Sequence, residues 1–275
     1  MANEILVLGA TGKTGKRVAE KLQKKEMVVR AGSRNGNPPF DWDHPENWNT
    51  VLDGVQKVYI TYYPDFVTPG AMEKIQRFVD TAKKSGTQQL VFLSGRGADE
   101  AEEAEGIVID SGLPWTVVRS SWFMQNFSEF FFLDNILAGY FVVPEHKALE
   151  PFVDLDDLAD VVVEALIDDK HNGKIYELTG PELLSFNDTT RMISETINRP
   201  VVYEEVSMDG YTKILRDYQV PENIIWLMKH LFTEELDGRN ESLTQDIEDV
   251  IGRKPTTFRE YVVKTDQTGV WNIQN

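Results

Sequence analysis

Ile5-Leu6-Val7-Leu8-Gly9-Ala10-Thr11-Gly12-Lys13-Thr14-Gly15 is the stretch that decides the fold of this 275-residue chain. A short continuous apolar run that stops at a glycine reads as a first strand, buried on both faces of a parallel sheet. Behind it, Lys16-Arg17-Val18-Ala19-Glu20-Lys21-Leu22 places apolar residues at helical spacing, so the glycines occupy a strand-to-helix turn. At the mouth of a helix, free N–H groups and the positive dipole end favour a pyrophosphate, and side chains at the glycine positions would block its approach. A tight turn that needs positive φ at one or two positions would also use glycines. The placement between strand and helix favours dinucleotide binding and puts Gly9, Thr11, Gly12, Lys13, Thr14 and Gly15 in the cofactor cradle.

Working outward, a second strand over 27–32 ends at Ser33-Arg34. An NAD-selective site places a carboxylate there, against the ribose 2′-hydroxyl. A hydroxyl followed by an arginine instead suits a 2′-phosphate, which guanidinium pairs in a bidentate, charge-assisted way, so NADP(H) is expected over NAD(H). The other reading of Arg34 is a solvated loop residue. In Phe40-Asp41-Trp42, an extended backbone would bring Asp41 near the adenine edge with Trp42 beside it, while Trp48 is expected in the core.

Further strand and helix units follow: 58–63 with 72–84, 90–94 with a helix ending at Ser111-Gly112, and a strand over 114–119. This alternation implies an α/β fold, a Rossmann-type doubly wound parallel sheet with right-handed crossovers. Ligands bind beyond the carboxyl ends of such strands, which nominates Tyr62, Tyr63, Pro64, Ser94, Gly95, Arg96 and Ser120 as cleft residues. Tyr62 and Ser94 are assigned to the cofactor, Arg96 to the substrate pocket, and Tyr63 and Ser94 are the catalytic candidates. Proximity alone supports these roles, and each residue could equally be structural.

After Arg119 the chain becomes strongly aromatic: Ser120-Ser121-Trp122-Phe123-Met124-Gln125-Asn126-Phe127, then Phe130-Phe131-Phe132-Leu133. A helix with Phe123, Phe127 and Phe130 on one side would be a core face or the wall of an apolar pocket. The polar amide of Asn126 favours a pocket lined by Trp122, Phe123, Asn126 and Phe127. The acids of 154–160 open a helix reaching about Ile167 and read as capping and dipole stabilisation. No histidine lies nearby in sequence, so no metal is expected. A final strand of the main sheet is expected over 174–180, a helix capped by Ser185, a short strand over 201–206, and then helices over 211–218, 222–232 and 243–251. The expected domains are a nucleotide-binding domain over 1–180, with 120–150 contributing to the substrate cleft, and a small, mostly helical substrate lobe over 181–275. The run 226–232 is apolar enough to face that cleft or a partner subunit.

Composition limits the partners. With 41% hydrophobic and 11% aromatic residues the chain has the burial capacity of a globular protein. It has no cysteine, which excludes disulfides, thiolate metal sites and cysteine nucleophiles. A formal charge of -17 opposes binding to a phosphate backbone or an anionic bilayer, so neither nucleic acid nor membrane is expected as a partner. The start lacks a basic n-region and no stretch approaches about 18 apolar residues, from which a cytoplasmic location is expected. A small-molecule substrate fits best, together with a homodimer or a protein partner.

Taken together, Gly9 to Gly15, Phe40-Asp41-Trp42, the run from Ser111-Gly112-Leu113-Pro114 to Arg119, Phe123-Met124-Gln125-Asn126, Phe152-Val153-Asp154 and Thr257-Phe258-Arg259-Glu260-Tyr261 resemble the NmrA-like atypical short-chain dehydrogenases/reductases. Within that family, Gly12-Lys13-Thr14-Gly15 followed by Phe40-Asp41-Trp42 most resembles the ergot-alkaloid festuclavine/agroclavine dehydrogenase group. The resemblance implies a Rossmann fold, NADP(H) and a substrate cleft beneath a helical C-terminal lobe. The family includes imine, quinone, alkene and carbonyl reductases as well as nucleotide-sensing regulators. One departure matters. Carbonyl-reducing members of the superfamily carry Tyr-x-x-x-Lys, whose tyrosine protonates the nascent alkoxide, and no tyrosine here has a lysine four residues on. In related quinone reductases a histidine precedes the helix glutamate by four, and the residue four before Glu105 is Ala101. The expected function is therefore an NADPH-dependent reductase of an activated acceptor (imine or iminium, quinone, activated alkene or carbonyl). The alternative is a non-catalytic NADP(H) sensor that regulates a protein partner.

Overall fold

The structure is a computed structural model that describes residues 4–130 and 132–273. The opening Met1-Ala2-Asn3 and Phe131 of the aromatic stretch lie outside the described residues. In chain order the elements are β1 (Glu4–Leu8), α1 (Lys13–Lys24), β2 (Val28–Gly32), α2 (Trp48–Leu52), β3 (Val55–Ile60), α3 (Ala71–Lys84) and β4 (Gln89–Gly95). There follow α4 (Asp99–Ile109), β5 (Trp115–Ser120), α5 (Asn126–Glu129), α6 (Leu133–Ala138), β6 (Tyr140–Pro144), α7 (Leu155–Ile167) and β7 (Lys174–Leu178). The last are α8 (Phe186–Thr196), β8 (Val202–Val206), α9 (Met208–Asp217), α10 (Glu222–His230), which runs into a π-helical turn at Leu231–Glu235, α11 (Asp246–Ile251) and α12 (Phe258–Asp266).

The backbone divides into two compact units, and both are discontinuous in sequence. The first comprises Met1–Ser120, Leu155–Leu178 and Thr244–Lys254, and the second Ser121–Asp154, Thr179–Leu243 and Pro255–Asn275.

The first unit is a six-stranded, all-parallel sheet in the order β2-β1-β3-β4-β5-β7. The doubly wound Rossmann topology expected from the alternation is present, with the reversal of strand order between β1 and β3. Its strands are near-continuous apolar runs because helices cover both faces: α1 packs against α7, and α3 against α4. Under α2 and α3 lies a core of Phe40, Trp48, Phe78 and the apolar residues of β3 and β4. The α1–α7 contact carries a ladder of ion pairs at one constant offset of 139 residues: Arg17 to Asp156 (3.2 Å), Lys21 to Asp160 (2.6 Å) and Lys25 to Glu164 (3.2 Å). Each partner contributes every fourth residue, Lys25 being the C-cap of α1, so all three pairs fall on one face. Arg253 adds contacts to Asp157 (2.6 Å) and Asp160 (2.8 Å). The acids that open α7 therefore act as ion-pair partners as well as complementing the helix dipole.

In the second unit β6 and β8 form a two-stranded parallel sheet, surrounded by α5, α6, α8, α9, α10 and α12. Its core is aromatic. Phe127 is fully enclosed, its ring centroid within 5.2–6.2 Å of those of Phe132, Phe141, Phe152, Phe186 and Phe258. A reciprocal capping box of Thr257 and Glu260 starts α12. The Tyr261 hydroxyl donates to Ser128 Oγ (2.7 Å) and the Trp271 indole N–H to the Phe127 carbonyl (2.9 Å), tying α12 and the segment after it to α5.

Several local expectations need correction. The aromatic stretch is not one helix: Phe123 bridges to Val153, and two short helices follow. The buried side of that stretch is occupied by Phe127 as core, while Phe130 is exposed. β6 was not foreseen, β3 ends at Ile60 so that Tyr62 and Tyr63 lie beyond it, and the helix expected over 243–251 spans Asp246–Ile251. In the run 226–232, Leu227, Met228, Leu231 and Phe232 are buried and Trp226 is exposed. Among the described residues no helix is long and apolar enough to cross a membrane.

Candidate functional site

The three glycines of the β1–α1 turn are needed for different reasons. Gly9 has φ +64°, in the left-handed region, and a Cβ there would sit 2.8 Å from Thr61 Cγ2. Gly15, in the first turn of α1, lies so close to β1 that a Cβ would fall 2.3 Å from the Gly9 carbonyl oxygen. Gly12 differs. Its φ of -88° and ψ of 177° suit any residue, and the nearest atom to an added Cβ is the Gly9 oxygen at 3.2 Å, with nothing else within 4 Å. Folding forbids a side chain at Gly9 and Gly15, whereas at Gly12 a Cβ would press only on the Gly9 oxygen and otherwise meet open space beside the helix mouth. No side chain caps α1 and no acid stands in its first turn, so the positive end of the helix meets that space with no acid of its own first turn opposing it. Around it, Thr14 is buried, Thr11 is exposed and the Lys13 carbonyl accepts from Arg17 Nη1 (2.9 Å).

After β2 the chain turns tightly, the Ser33 carbonyl accepting from the N–H groups of Gly36 and Phe40 (both 2.9 Å). Arg34 is exposed there and pairs with no carboxylate among the described residues. Arg30, four residues earlier, is committed to Glu4 (2.5 Å) and to the Val51 carbonyl (2.7 Å). Asp41 Oδ1 accepts from the Asp43 N–H (2.9 Å), and the Asp41 carbonyl accepts from the Trp48 indole (2.8 Å). The Trp42 ring is held 5.0 Å from that of Tyr62 and 5.3 Å from that of Phe78, so Trp42 and Tyr62 meet in one aromatic cluster. Tyr63 is exposed beside them.

At the carboxyl ends of β4, β5 and β7 lies a partly buried network of charges. Ser94 Oγ donates to Glu105 Oε1 at 2.6 Å, and both residues are almost wholly buried, at 3% and 2% exposure. Arg119 forks onto the same carboxylate, Nε at 2.9 Å and Nη2 at 2.7 Å, and Glu105 thereby raises the pKa of the guanidinium further. Arg119 Nη1 also reaches Glu177 (3.2 Å) and Glu102 (3.4 Å), and Arg96 Nε reaches Glu177 Oε2 (3.2 Å). The Glu177 N–H donates to Asp246 (2.6 Å), whose carboxyl burial holds above the usual carboxylate range, and Thr244 Oγ1 donates to the Glu177 carbonyl. Ser94 and Arg96, nominated separately, belong to one network. Since a carboxylate can only accept, the Ser94 proton is directed at Glu105 and is not presented to a ligand.

In the second unit, the Trp122 N–H donates to the buried Glu150 (3.1 Å) and its ring meets Phe186 and Phe232 at 5.7 Å and stacks on Phe132 at 6.4 Å. Trp122 and Phe123 are half-buried, Asn126 is buried, and Phe127 serves the core.

Residues 39–262 match the NmrA-like family. This chain belongs to the NmrA-like family. It is 28% identical over 294 residues to agroclavine dehydrogenase of Claviceps fusiformis, covering 98% of this chain and 99% of that one. To prestalk A differentiation protein A of Dictyostelium discoideum it is 26% identical over 278 residues, 95% of this chain and 92% of the relative. Among solved structures, an NADPH-dependent quinone oxidoreductase from Escherichia coli superposes with a TM-score of 0.80 at 20% identity, over 94% of this chain and 99% of that one, a likeness of fold.

What sequence reading missed in this NmrA-like chain is the partnership of Glu105, Arg119 and Glu177, and the rings of Phe186 and Phe232 around Trp122. A hint existed: Arg119 and Glu177 are charges inside strands of a sheet covered on both faces, where an unpaired charge is not tolerated.

Proposed function

We propose that this protein is an NADPH-dependent reductase that delivers hydride to a small, already activated acceptor, with cyclic iminium ions ahead of quinones and activated alkenes. The observation that carries the reading is Gly12, whose extended backbone needs no glycine and whose added Cβ would meet a single atom, the Gly9 oxygen at 3.2 Å, at an uncapped helix mouth. The α1 N–H groups with Gly9, Thr11, Gly12, Lys13, Thr14 and Gly15 would hold the pyrophosphate, Ser33 and Arg34 the 2′-phosphate, and Asp41, Trp42 and Tyr62 the adenosine side of the site. When bound, the nicotinamide supplies the hydride. Trp122, Phe123 and Asn126 would contact the acceptor, the ring faces favouring a cation by about 0.5 to 2 kcal/mol. With Tyr-x-x-x-Lys absent and the Ser94 proton committed to Glu105, the best acceptor is one that becomes neutral on receiving hydride alone. The likeness to agroclavine dehydrogenase over nearly all of both chains supports screening ergot-alkaloid iminium compounds first.

The test is an NADPH-oxidation screen over imines, quinones, enones and ketones. Turnover on any class supports the reductase, and NADPH binding without turnover on all of them favours a sensor. Cofactor choice is tested at Arg34. Loss of a charge-assisted contact of roughly 1.5 to 3 kcal/mol should weaken NADPH in Arg34→Ala by about 10- to 150-fold and leave NADH nearly unchanged. Equal weakening of both, measured by fluorescence titration, would remove Arg34 from the 2′-phosphate site.

A further inference from the structure

We propose that Ser94 accepts a hydrogen bond from a donor group of the nicotinamide riboside, and that Glu105 is the positioning residue that locks the serine in this polarity. The inference rests on the dinucleotide reading above. Both oxygens of Glu105 accept from the Arg119 fork, and Arg119 is itself restrained by Glu102 and Glu177. The proton in the 2.6 Å contact therefore belongs to the serine. Its oxygen keeps only lone pairs to offer, so a ligand atom that bonds to it must bring the hydrogen.

The layout of the first unit says which part of the dinucleotide that is. The glycine turn follows β1 and Arg34 follows β2, so a pyrophosphate and a 2′-phosphate held there direct the adenosine half towards β2. The other half crosses the reversal of strand order, over β3 and β4. β4 is two strand spacings from β1, ~10 Å, about the span of a nicotinamide riboside, and Ser94 is its next-to-last residue. That moiety carries two kinds of donor, the ribose hydroxyls and the carboxamide N–H. Either satisfies an oxygen that only accepts.

The experiment measures calorimetric affinities for NADPH, for its 3-acetylpyridine analogue, which lacks the carboxamide N–H, and for analogues deoxygenated on the nicotinamide ribose. The wild-type protein should bind one of these analogue types roughly three- to tenfold more weakly than NADPH, and which type it is names the donor. Ser94→Ala should bring that ratio close to one, and Ser94→Thr, which keeps the hydroxyl, should restore it. Glu105→Gln puts an amide donor against the serine and should flatten or invert the preference, whereas a merely structural Glu105 would weaken every nucleotide alike. Should Glu105→Gln fail to fold, the Ser94 pair decides. A wild-type protein that binds all analogues equally, or a Ser94→Ala protein that keeps the discrimination, overturns the inference while leaving the dinucleotide reading intact. No binding of NADPH at all overturns both.

Discussion

Gly12→Val should leave the fold standing and abolish nucleotide binding, whereas the smaller substitution Gly15→Ala should damage the fold itself. The backbone at Gly12 is already extended, and an added side chain meets only the Gly9 oxygen at 3.2 Å. The stability cost is then that of a poor N-cap residue plus a small shift of the Gly9 carbonyl, on the order of 1 to 2 kcal/mol. The same side chain fills the space into which a pyrophosphate must come to reach the α1 N–H groups. NADPH affinity should fall by at least about 100-fold, equivalent to roughly 2.7 kcal/mol. At Gly15 the added methyl has no room, 2.3 Å from a backbone oxygen and 2.6 Å from its carbon. Helix and strand must separate, at about 1 to 3 kcal/mol. A denaturant melt and an NADPH titration on each variant check the pair, and undiminished binding by a folded Gly12→Val protein would return the turn to a purely structural role.

The second large effect concerns the acceptor. An iminium carbon is cationic and becomes a neutral amine on receiving hydride, but a ketone becomes an alkoxide that must be protonated as it forms. A positioned general acid contributes about 10²- to 10⁴-fold, and Ser94 does not supply one, since its proton points at Glu105. Cyclic iminium ions should therefore be reduced with kcat/KM about 10²- to 10⁴-fold above that for unactivated ketones of similar shape. Quinones and activated alkenes should fall between, since their enolate-like products can take a proton from water. Parallel NADPH-oxidation assays across pH give the ratio. Efficient ketone reduction with a bell-shaped pH profile would reveal an enzymatic acid and sink the account.

How far these properties could be read from sequence followed the range of the interactions behind them. β1, the glycine turn and α1 were legible because their signals are local: an apolar run, glycines at the turn, helical periodicity. So was the parallel sheet, since strands covered on both faces leave continuous apolar runs. The stretch 122–133 was misread because aromatic spacing does not distinguish one long helix from two short ones, and a phenylalanine stripe suits a core as well as a pocket. β6 escaped because Tyr140–Pro144 finds its partner in Val202–Val206, some sixty residues away. The Ser94–Glu105–Arg119 cluster draws on β4, α4 and β5, and only their assembly brings the groups within hydrogen-bonding distance. The open space at Gly12 was inferred from the motif, but the contrast with Gly9 and Gly15 needed coordinates.

The α1–α7 ladder has a consequence for the order in which the protein comes into being. The helix whose mouth frames the glycine turn is clasped by chain 139 residues further on. A nascent chain of 120 residues already contains the entire turn and five of the six strands of the main sheet. Its α1 still faces water where α7 will lie, and β5 still has an open edge. Contacts so distant in sequence are entropically late and slow to form. Such a chain must wait for α7 and β7 before its first helix is seated, and until then its exposed strand edge makes it a substrate for chaperones. Nucleotide-binding competence should consequently arise late in synthesis, after Ile167 has emerged, although nearly every residue proposed to grip the nucleotide is translated first.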